Sequence, residues 1–198
     1  LGQLPQHPQL PRWCCVGRHP WHAAAESGGS VAKQLDAALG TPECIALGEV
    51  GLDRVHGPAI ARQMEILDAQ LDLAEKHGIP VVFHCVRAHA DLLQLRKRRA
   101  PGQPWIIHGF AGHGELAGQL LRMDFHLSFG AALLSTGAKA REALTQVPLH
   151  RLFLESDESG LDMALLYRTA ADVLGCSVPQ LRRAIAGNFR EVFDREVE

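Results

Sequence analysis

The chain has 198 residues, of which 46% are hydrophobic, and that content is enough to bury one sizeable core. Its formal net charge of −2 leaves no excess of basic residues that could hold a phosphate backbone by charge alone. The 5 cysteines are an odd number without a C-x-x-C pair, which argues against a disulfide framework or a thiolate zinc site and favours a reducing, cytoplasmic location.

The first twelve residues are predicted to be an irregular leader. Pro5, Pro8 and Pro11 recur at intervals that favour extended or turn-rich chain over a helix. This stretch has neither a basic leader nor a continuous apolar core, and no run in the chain approaches the roughly 18 apolar residues that a membrane span needs. We therefore predict one domain over residues 1–198, of which residues 1–12 are the leader.

From about residue 13 onward, short apolar runs alternate with amphipathic stretches. This alternation is typical of βαβ units and of a parallel α/β sheet. Six runs are predicted to be strands: residues 13–17, 44–51, 80–86, 104–110, 125–130 and 151–157.

Helical spacing and capping signals appear between and after these runs. Apolar residues at helical spacing predict a helix that ends before Gly78. The leucines among residues 92–95 suggest another helix, whose last residues, "RKRR", we interpret as a solvated face. Ser177 opens a final helix, and Gln180 completes a capping-box pattern with it. Further helices are expected at 115–123, 137–146 and 162–174.

Polar side chains that can bind a metal or move a proton stand at the ends of five predicted strands. They are His19, Glu49 with Asp53, His84, His108, and Glu155 with Asp157. Taken singly, a histidine there could be a hydrogen-bonded core residue, and a carboxylate could be a helix N-cap. In parallel α/β barrels and in doubly wound sheets, however, the C-terminal ends of the strands gather at one face, where ligands bind. We therefore expect these side chains to converge.

The residue types indicate the chemistry of such a site. Neutral imidazoles and carboxylates are ligands of zinc, manganese and related divalent ions. A metal held by them with open positions lowers the pKa of bound water and polarises a phosphoryl or carbonyl oxygen, which is metal-assisted hydrolysis. The chain contains no G-x-x-x-x-G-K-[ST] loop, G-x-G-x-x-G fingerprint or G-x-S-x-G elbow, so phosphate-loop, dinucleotide and serine-hydrolase functions have no support.

Six segments carry a set of motifs in a fixed order: "VGRHPW", "ALGEVGLD", "VVFHC", "IIHGFAG", "LFLESDES" and "NFREVF". Together they resemble the TatD family of metal-dependent hydrolases, a group of (β/α)-barrel enzymes that includes DNases. The resemblance covers residues 13–198 and is greatest to a compact subgroup. It implies an α/β fold, a TIM-like (β/α) barrel.

The resemblance also implies a role for each site residue. Glu49 would bridge two divalent metal ions, such as Zn, Mn or Mg, and His84 and His108 would hold one of them. Asp157 would bind the other ion while it orients or deprotonates the attacking water, so Glu49 and Asp157 are the expected catalytic residues. His19 would lie at the rim and contact the substrate phosphate or a metal-bound water.

Two features depart from the family pattern. Family members begin with a strand that ends in a D-x-H-x-H-like motif, which residues 1–12 do not supply. We expect that motif either to precede Leu1 or to be lost, in which case the first metal would keep mainly Glu49 and Asp157. After Asp157 the chain passes almost directly into a helix, so the barrel is expected to be incomplete, with a short or absent last strand. For Asp53 we favour a structural role that orients a ligand.

The remaining histidines have no motif support. We expect them to be structural or surface residues, and we expect Cys85 to be a small buried side chain that points away from His84. These histidines are His7, His22, His56, His77, His89, His113, His126 and His150.

The predicted function is a divalent-metal-dependent hydrolase that cleaves phosphodiester bonds, with DNA as the favoured substrate. One alternative is a related hydrolase of another ester or an amide bond, because the same site polarises carbonyls. A second alternative is a catalytically weak binding or scaffold protein that lacks the first-strand histidines. Neither a membrane nor an obligate protein partner is indicated.

Overall fold

The computed structural model describes residues 13–23, 27–135, 138–157 and 160–196, so the predicted leader at 1–12 lies outside the described residues. The described strands are β1 (Cys14–Val16), β2 (Cys44–Asp53), β3 (Val81–Val86), β4 (Trp105–Ile107), β5 (Phe125–Phe129) and β6 (Leu152–Leu154). The described α-helices are α1 (Gly28–Leu39), α2 (Ile60–His77), α3 (His89–Arg99), α4 (Gly114–Arg122), α5 (Ala138–Thr145), α6 (Met163–Leu174) and α7 (Val178–Phe193).

The strands form one six-stranded sheet whose spatial order follows the chain, from β1 to β6. Every neighbouring pair is parallel. Each strand is followed by at least one helix, as the alternation of apolar and amphipathic segments predicted. The parallel α/β architecture therefore places the C-terminal ends of all six strands along one edge of the sheet.

All six predicted strands occur, and the predicted helices occur within one or two residues of their expected bounds. The capping box at the start of α7 is present, with Ser177 accepting from the backbone N–H of Gln180. Helix α1 was not predicted, although Val31 and Leu39 on it recur at helical spacing and are buried. Ser27 caps this helix by accepting from the backbone N–H of Ser30.

Aromatic packing in the core fixes the spacing of the central strands. Phe83 on β3 and Trp105 on β4 are fully buried, with ring centroids 4.6 Å apart, and Trp105 lies 5.7 Å from Phe125 on β5. Burial of each such side chain stabilises the fold by on the order of 2–3 kcal/mol. His84 directly follows Phe83, and His108 lies three residues after Trp105. The packing of these two rings therefore sets the separation of the two imidazoles.

The basic end of α3 is not uniformly solvated, so the interpretation of "RKRR" is wrong for Arg96. The residue is 7% exposed, and its Nε donates to the carbonyl oxygen of Met123 at 3.0 Å. Its guanidinium carbon lies 5.1 Å from the ring centroid of Trp105 and 5.6 Å from that of Phe125. A planar, weakly hydrated guanidinium packs on aromatic rings in this way, and a pattern of charges along the sequence does not reveal it.

Within the described part of the chain there is no disulfide, and no helix is long and apolar enough to cross a membrane. All five cysteines lie in that part and are free thiols. Burial raises the pKa of the Cys85 thiol to about 12, so this neighbour of His84 is a neutral thiol.

Candidate functional site

A cavity of about 580 Å³ lies where the C-terminal ends of the strands meet. All five residues predicted to form the site line it: His19, Glu49, His84, His108 and Asp157. The remaining lining residues are Cys15, Gly17, Trp21, His22 and Gly48. The topology of the sheet thus brings together side chains that are far apart in the sequence.

An irregularity in β2 directs Glu49 toward this cavity. Leu47 pairs with Val81 and Val50 pairs with Phe83, so β2 advances three residues while β3 advances two. The extra residue disturbs the ladder around Glu49, and irregularities of this kind re-aim a side chain near functional sites. Glu49 is partly exposed although its neighbours on β2 are buried.

Glu49 lies at the centre of the polar cluster. One potential donor atom each from His19, Glu49 and His84 lies within 4.8 Å of the other two. The Oε2 atom of Glu49 is 4.0 Å from Nε2 of His19 and 3.3 Å from Nε2 of His108. The ring centroids of His84 and His108 are 5.7 Å apart. The three residues that could together ligate a metal ion therefore include His19, which was predicted to lie at the rim of the site.

A buried carboxylate fixes the orientation of His84. Oδ2 of Asp53 lies 3.0 Å from Nε2 of His84 and accepts from Nε1 of Trp21 at 2.7 Å. Oδ1 of Asp53 accepts from the backbone N–H groups of Val55 and His56 at 2.7 and 2.9 Å. Burial alone would raise the pKa of Asp53, but these hydrogen bonds hold it well below the usual range. Asp53 is thus an anion. Because it contacts Nε2 of His84, the Nδ1 atom of that ring points away from Asp53.

Gly51 permits β2 and β3 to approach closely at His84. Its φ is +144°, and a Cβ placed there would lie 2.0 Å from the carbonyl oxygen of His84. Any other residue would push the two strands apart, so the position of His84 depends on this glycine.

A second carboxylate holds His108, which follows β4 directly. Nδ1 of His108 is 3.4 Å from Oε1 of Glu155, while its Nε2 faces Glu49. Burial alone would lower the pKa of His108, but Glu155 and Glu49 outweigh it and raise that pKa to about 10. Glu155 stands at the end of a predicted strand, but no role was predicted for it from the sequence. Glu155 also accepts from the backbone N–H of Gly109 at 2.6 Å and from the hydroxyl of Ser128.

His19 presents a neutral imidazole to the cavity. Its Nδ1 accepts from the backbone N–H of Trp21 at 3.3 Å, and its Nε2 points toward Glu49. Burial, and then the neighbouring His84, lower the pKa of His19 to about 4. In the neutral ring, Nδ1 holds the lone pair that accepts the hydrogen bond from Trp21, so Nε2 carries the proton and faces the Glu49 carboxylate as a potential donor.

A family model described as "TatD related DNase" matches residues 6–194. The chain belongs to this family. The family resemblance found in the sequence motifs is therefore confirmed.

Curated relatives of this TatD-family chain carry names of two kinds. The uncharacterized metal-dependent hydrolase YjjV of Escherichia coli K12 is 32% identical over 74% of this chain and 58% of that protein. The 3'-5' RNA nuclease TATDN2 of Homo sapiens is 36% identical over 73% of this chain and 20% of that protein. The 3'-5' ssDNA/RNA exonuclease TatD of Edwardsiella piscicida is 32% identical over 73% and 57%. The chain thus spans less than two thirds of the length of these relatives.

Solved structures show the same fold. A crystal structure of YjjV, a TatD homologue from Escherichia coli K12, superimposes with a TM-score of 0.85 at 25% identity, covering 92% of this chain and 77% of that one. A TatD-family hydrolase from Entamoeba histolytica gives a TM-score of 0.79 at 16% identity, which supports the fold alone. The six described strands are fewer than the eight of a closed TIM barrel. The predicted incomplete TIM-like barrel is therefore confirmed.

The donor set of this TatD-family chain suits a divalent cation. Imidazole nitrogens of His19 and His84 lie close to a carboxylate oxygen of Glu49 in the cavity. Two other carboxylates hold the histidines from outside the cluster: Asp53 contacts Nε2 of His84, and Glu155 contacts Nδ1 of His108. Such outer partners fix the ring orientation of metal-binding histidines. Glu49 and Glu155 stabilise an added proton on His108, whereas a metal ion binds only the neutral imidazole. A cation bound at this site would therefore take the place of that proton.

Asp157 lines the cavity from the segment after β6. It is exposed and has φ of +48°, a left-handed conformation that aspartate tolerates better than most residues. It precedes residues 158–159, which lie outside the described part. Asp157 does not belong to the three-residue donor group found among the described residues.

Two histidines without motif support lie close to this site. His22 lines the cavity, and Nδ1 of His56 is 3.6 Å from Oδ2 of Asp53. Other histidines have structural contacts elsewhere: His77 pairs with Asp36, and His113 caps α4. No local motif distinguishes His22 from the others, because its approach to the cavity depends on the turn that follows His19. His7 lies outside the described residues.

Proposed function

We propose that this chain is a divalent-metal-dependent nuclease that hydrolyses phosphodiester bonds of DNA or RNA. The observation that carries the proposal is the convergence of donor atoms from His19, Glu49 and His84 within 4.8 Å, with Nε2 of His108 on the same oxygen of Glu49. Family membership and the nuclease names of two relatives support a phosphodiester substrate.

The proposed metal site is built around Glu49. We assign one divalent ion to His84, His108 and Glu49, and a second to Glu49 and Asp157, as the family resemblance implies. His19 offers a further nitrogen to the same cluster. When bound, such ions lower the pKa of water and polarise a phosphoryl oxygen.

The protein residues have separate tasks in this proposal. Asp53 and Glu155 hold the far nitrogens of His84 and His108, so each imidazole keeps one tautomer and one direction. Asp157 is an exposed carboxylate at the cavity and would orient the attacking water and accept its proton. A neutral His19 would contact the substrate phosphate from the rim.

The test is cleavage of end-labelled single-stranded DNA and RNA with added Mg²⁺, Mn²⁺ or Zn²⁺. We expect cleavage that a chelator abolishes and that the substitution Glu49→Gln reduces to background. Glu142→Gln, an exposed glutamate on α5, is the matched control and should retain activity. Absence of metal-dependent cleavage of both nucleic acids would contradict the proposal, and hydrolysis of only a carboxylic ester or amide would favour the alternative hydrolase.

The same proposal includes a setting for the protein. A nucleic acid is the proposed partner, and the free state of all five cysteines supports a reducing, cytoplasmic location. We also propose that residues 1–198 act as one metal-dependent hydrolase domain.

A further inference from the structure

Trp21 is an exposed aromatic side chain in the wall of the proposed metal site. It is 46% exposed, yet it lines the same cavity as His19, Glu49 and Asp157. It lies in the short turn Pro20–His22. A single exposed apolar side chain is ordinary on a protein surface, but this one borders a polar cavity.

The Trp21 side chain is held in one position. Its Nε1–H donates to Oδ2 of Asp53 at 2.7 Å, the same oxygen that meets Nε2 of His84. A Cβ placed at Gly57 would lie 3.0 Å from Cα of Trp21, so the loop after β2 packs directly against the turn. A ring fixed in this way loses little conformational freedom when a ligand binds to it.

No aromatic ring in the described part of the chain stacks parallel to the Trp21 indole. His19 and His84 meet it at interplanar angles of 85° and 79°, and His56 meets it at 54°. The centroid distances are 4.8, 5.8 and 5.3 Å in the same order. These contacts orient the indole and leave nearly half of its surface accessible to a ligand.

The charge of the chain makes such a surface useful for nucleic acid. The formal net charge is −2, so phosphate attraction over the whole molecule supplies little affinity. Stacking of a base on an aromatic side chain does not depend on net charge, and it tolerates any sequence because every base has a π-face.

We propose that Trp21 is the stacking surface for the nucleobase next to the phosphodiester that is cut. The proposal rests on the proposed nuclease function and adds a determinant of substrate choice to it. A base must leave its duplex stack to lie on Trp21.

The test compares an oligodeoxythymidylate with the same strand carrying an abasic residue at the nucleotide next to the cut. For the intact strand, we expect Trp21→Leu to lower kcat/KM by about 5- to 150-fold, the range that corresponds to the loss of one base–aromatic stack. The abasic strand should be a poor substrate for the wild-type chain. Trp21→Leu should cleave the abasic strand with the same low kcat/KM as the wild-type chain does. Trp21→Phe should retain most of the activity on the intact strand.

Trp21→Phe also separates stacking from a positioning role. Phenylalanine keeps a ring but loses the hydrogen bond to Asp53. If Trp21→Phe and Trp21→Leu lose activity equally on both strands, Trp21 acts by positioning Asp53 and the stacking proposal is wrong. Unchanged activity of Trp21→Leu on the intact strand would overturn it as well. Leu165→Ala, which alters an exposed side chain on α6, is the control for loss of surface apolar area.

A binding measurement keeps this proposal distinguishable from the nuclease proposal. Oligodeoxythymidylate binding to the Glu49→Gln variant, with and without Trp21→Leu, requires no cleavage. Base-dependent binding that Trp21→Leu removes supports stacking even if the wild-type chain cleaves nothing. Cleavage without any dependence on the base or on Trp21 overturns stacking and leaves the nuclease function intact, and absence of both binding and cleavage overturns both proposals.

Discussion

His84 and His126 both lie inside apolar strands, yet they have opposite surroundings. His84 is the fourth residue of β3 and lines the cavity, where the anionic Asp53 holds its Nε2. His126 is the second residue of β5, is 5% exposed, and its Nδ1 has no hydrogen-bond partner. Burial, and then the neighbouring Arg151, lower the pKa of His126 to about 4.

The difference shows what a strand histidine needs before it can serve as a metal ligand. Along a parallel strand, the end at which the histidine lies decides whether it meets the shared edge of the sheet, where loops and ligands gather. The second requirement is a carboxylate that fixes one ring nitrogen and leaves the other available. His84 meets both conditions and His126 meets neither, although each interrupts an apolar run.

The largest expected effect comes from removing the imidazole of His84. We expect His84→Ala to lower metal-dependent cleavage by more than about 100-fold, since loss of an outer partner of a ligand already costs about 10- to 100-fold. His126→Leu is the matched control and should keep wild-type activity. Equal activity of the two variants in a steady-state cleavage assay would remove the distinction between the histidines.

The next effect concerns the carboxylate beneath His84. Asp53→Asn keeps the size of the side chain but removes its charge, so we expect metal affinity and activity to fall by about 10- to 100-fold. Titration with Mn²⁺ followed by calorimetry measures this loss. Asp172→Asn, an exposed aspartate on α6, should leave the affinity unchanged, and an unaltered affinity in Asp53→Asn would show that Asp53 does not act on the metal site.

Replacement of His126 should have the smallest effect on activity. We expect His126 to affect the pH dependence of the free energy of unfolding instead. Its folded pKa of about 4 is below the ordinary histidine value of 6.5, so the unfolded chain binds the proton first on acidification. Stability should therefore fall as the pH drops from about 6.5 to about 4, by on the order of 2–3 kcal/mol from this residue. Arg151, His150 and Arg96 disfavour the added charge, while Asp124 favours it.

The His126→Leu variant isolates that contribution. It lacks the titrating group and the unpaired nitrogen, so its free energy of unfolding should vary less with pH across this interval. Urea unfolding at pH 7 and near pH 4 gives the comparison. Parallel pH profiles for wild type and variant would show that His126 is not the buried neutral group described here.

Local sequence patterns were sufficient for most of the framework. Apolar runs bounded by turn residues predicted the six strands, and strand-end placement brought five polar residues to one cavity. The same patterns missed α1 and misjudged Arg96. A guanidinium that packs on two rings depends on tertiary contacts, which no run of charges encodes.

The outer parts of the site were harder to predict for the same reason. Glu155 becomes a partner of His108 because β4 and β6 end at the same edge. Trp21 reaches the site because the turn after His19 packs against the loop that follows β2. A side chain can act through another residue only where the fold brings the two together. A single sequence shows which residue types are present, but it does not show which of them become neighbours.

The amount of divalent metal bound per chain at equilibrium tests the proposed two-metal site without relying on any substrate. Dialysis against micromolar Mn²⁺ or Zn²⁺, followed by elemental analysis, should give about two ions per wild-type chain, as a bridged two-metal site requires. Glu49→Gln should lose them, while Glu142→Gln should not. A wild-type chain that binds no ion, or a Glu49→Gln variant that binds as many as wild type, would rule out a two-metal site built on Glu49.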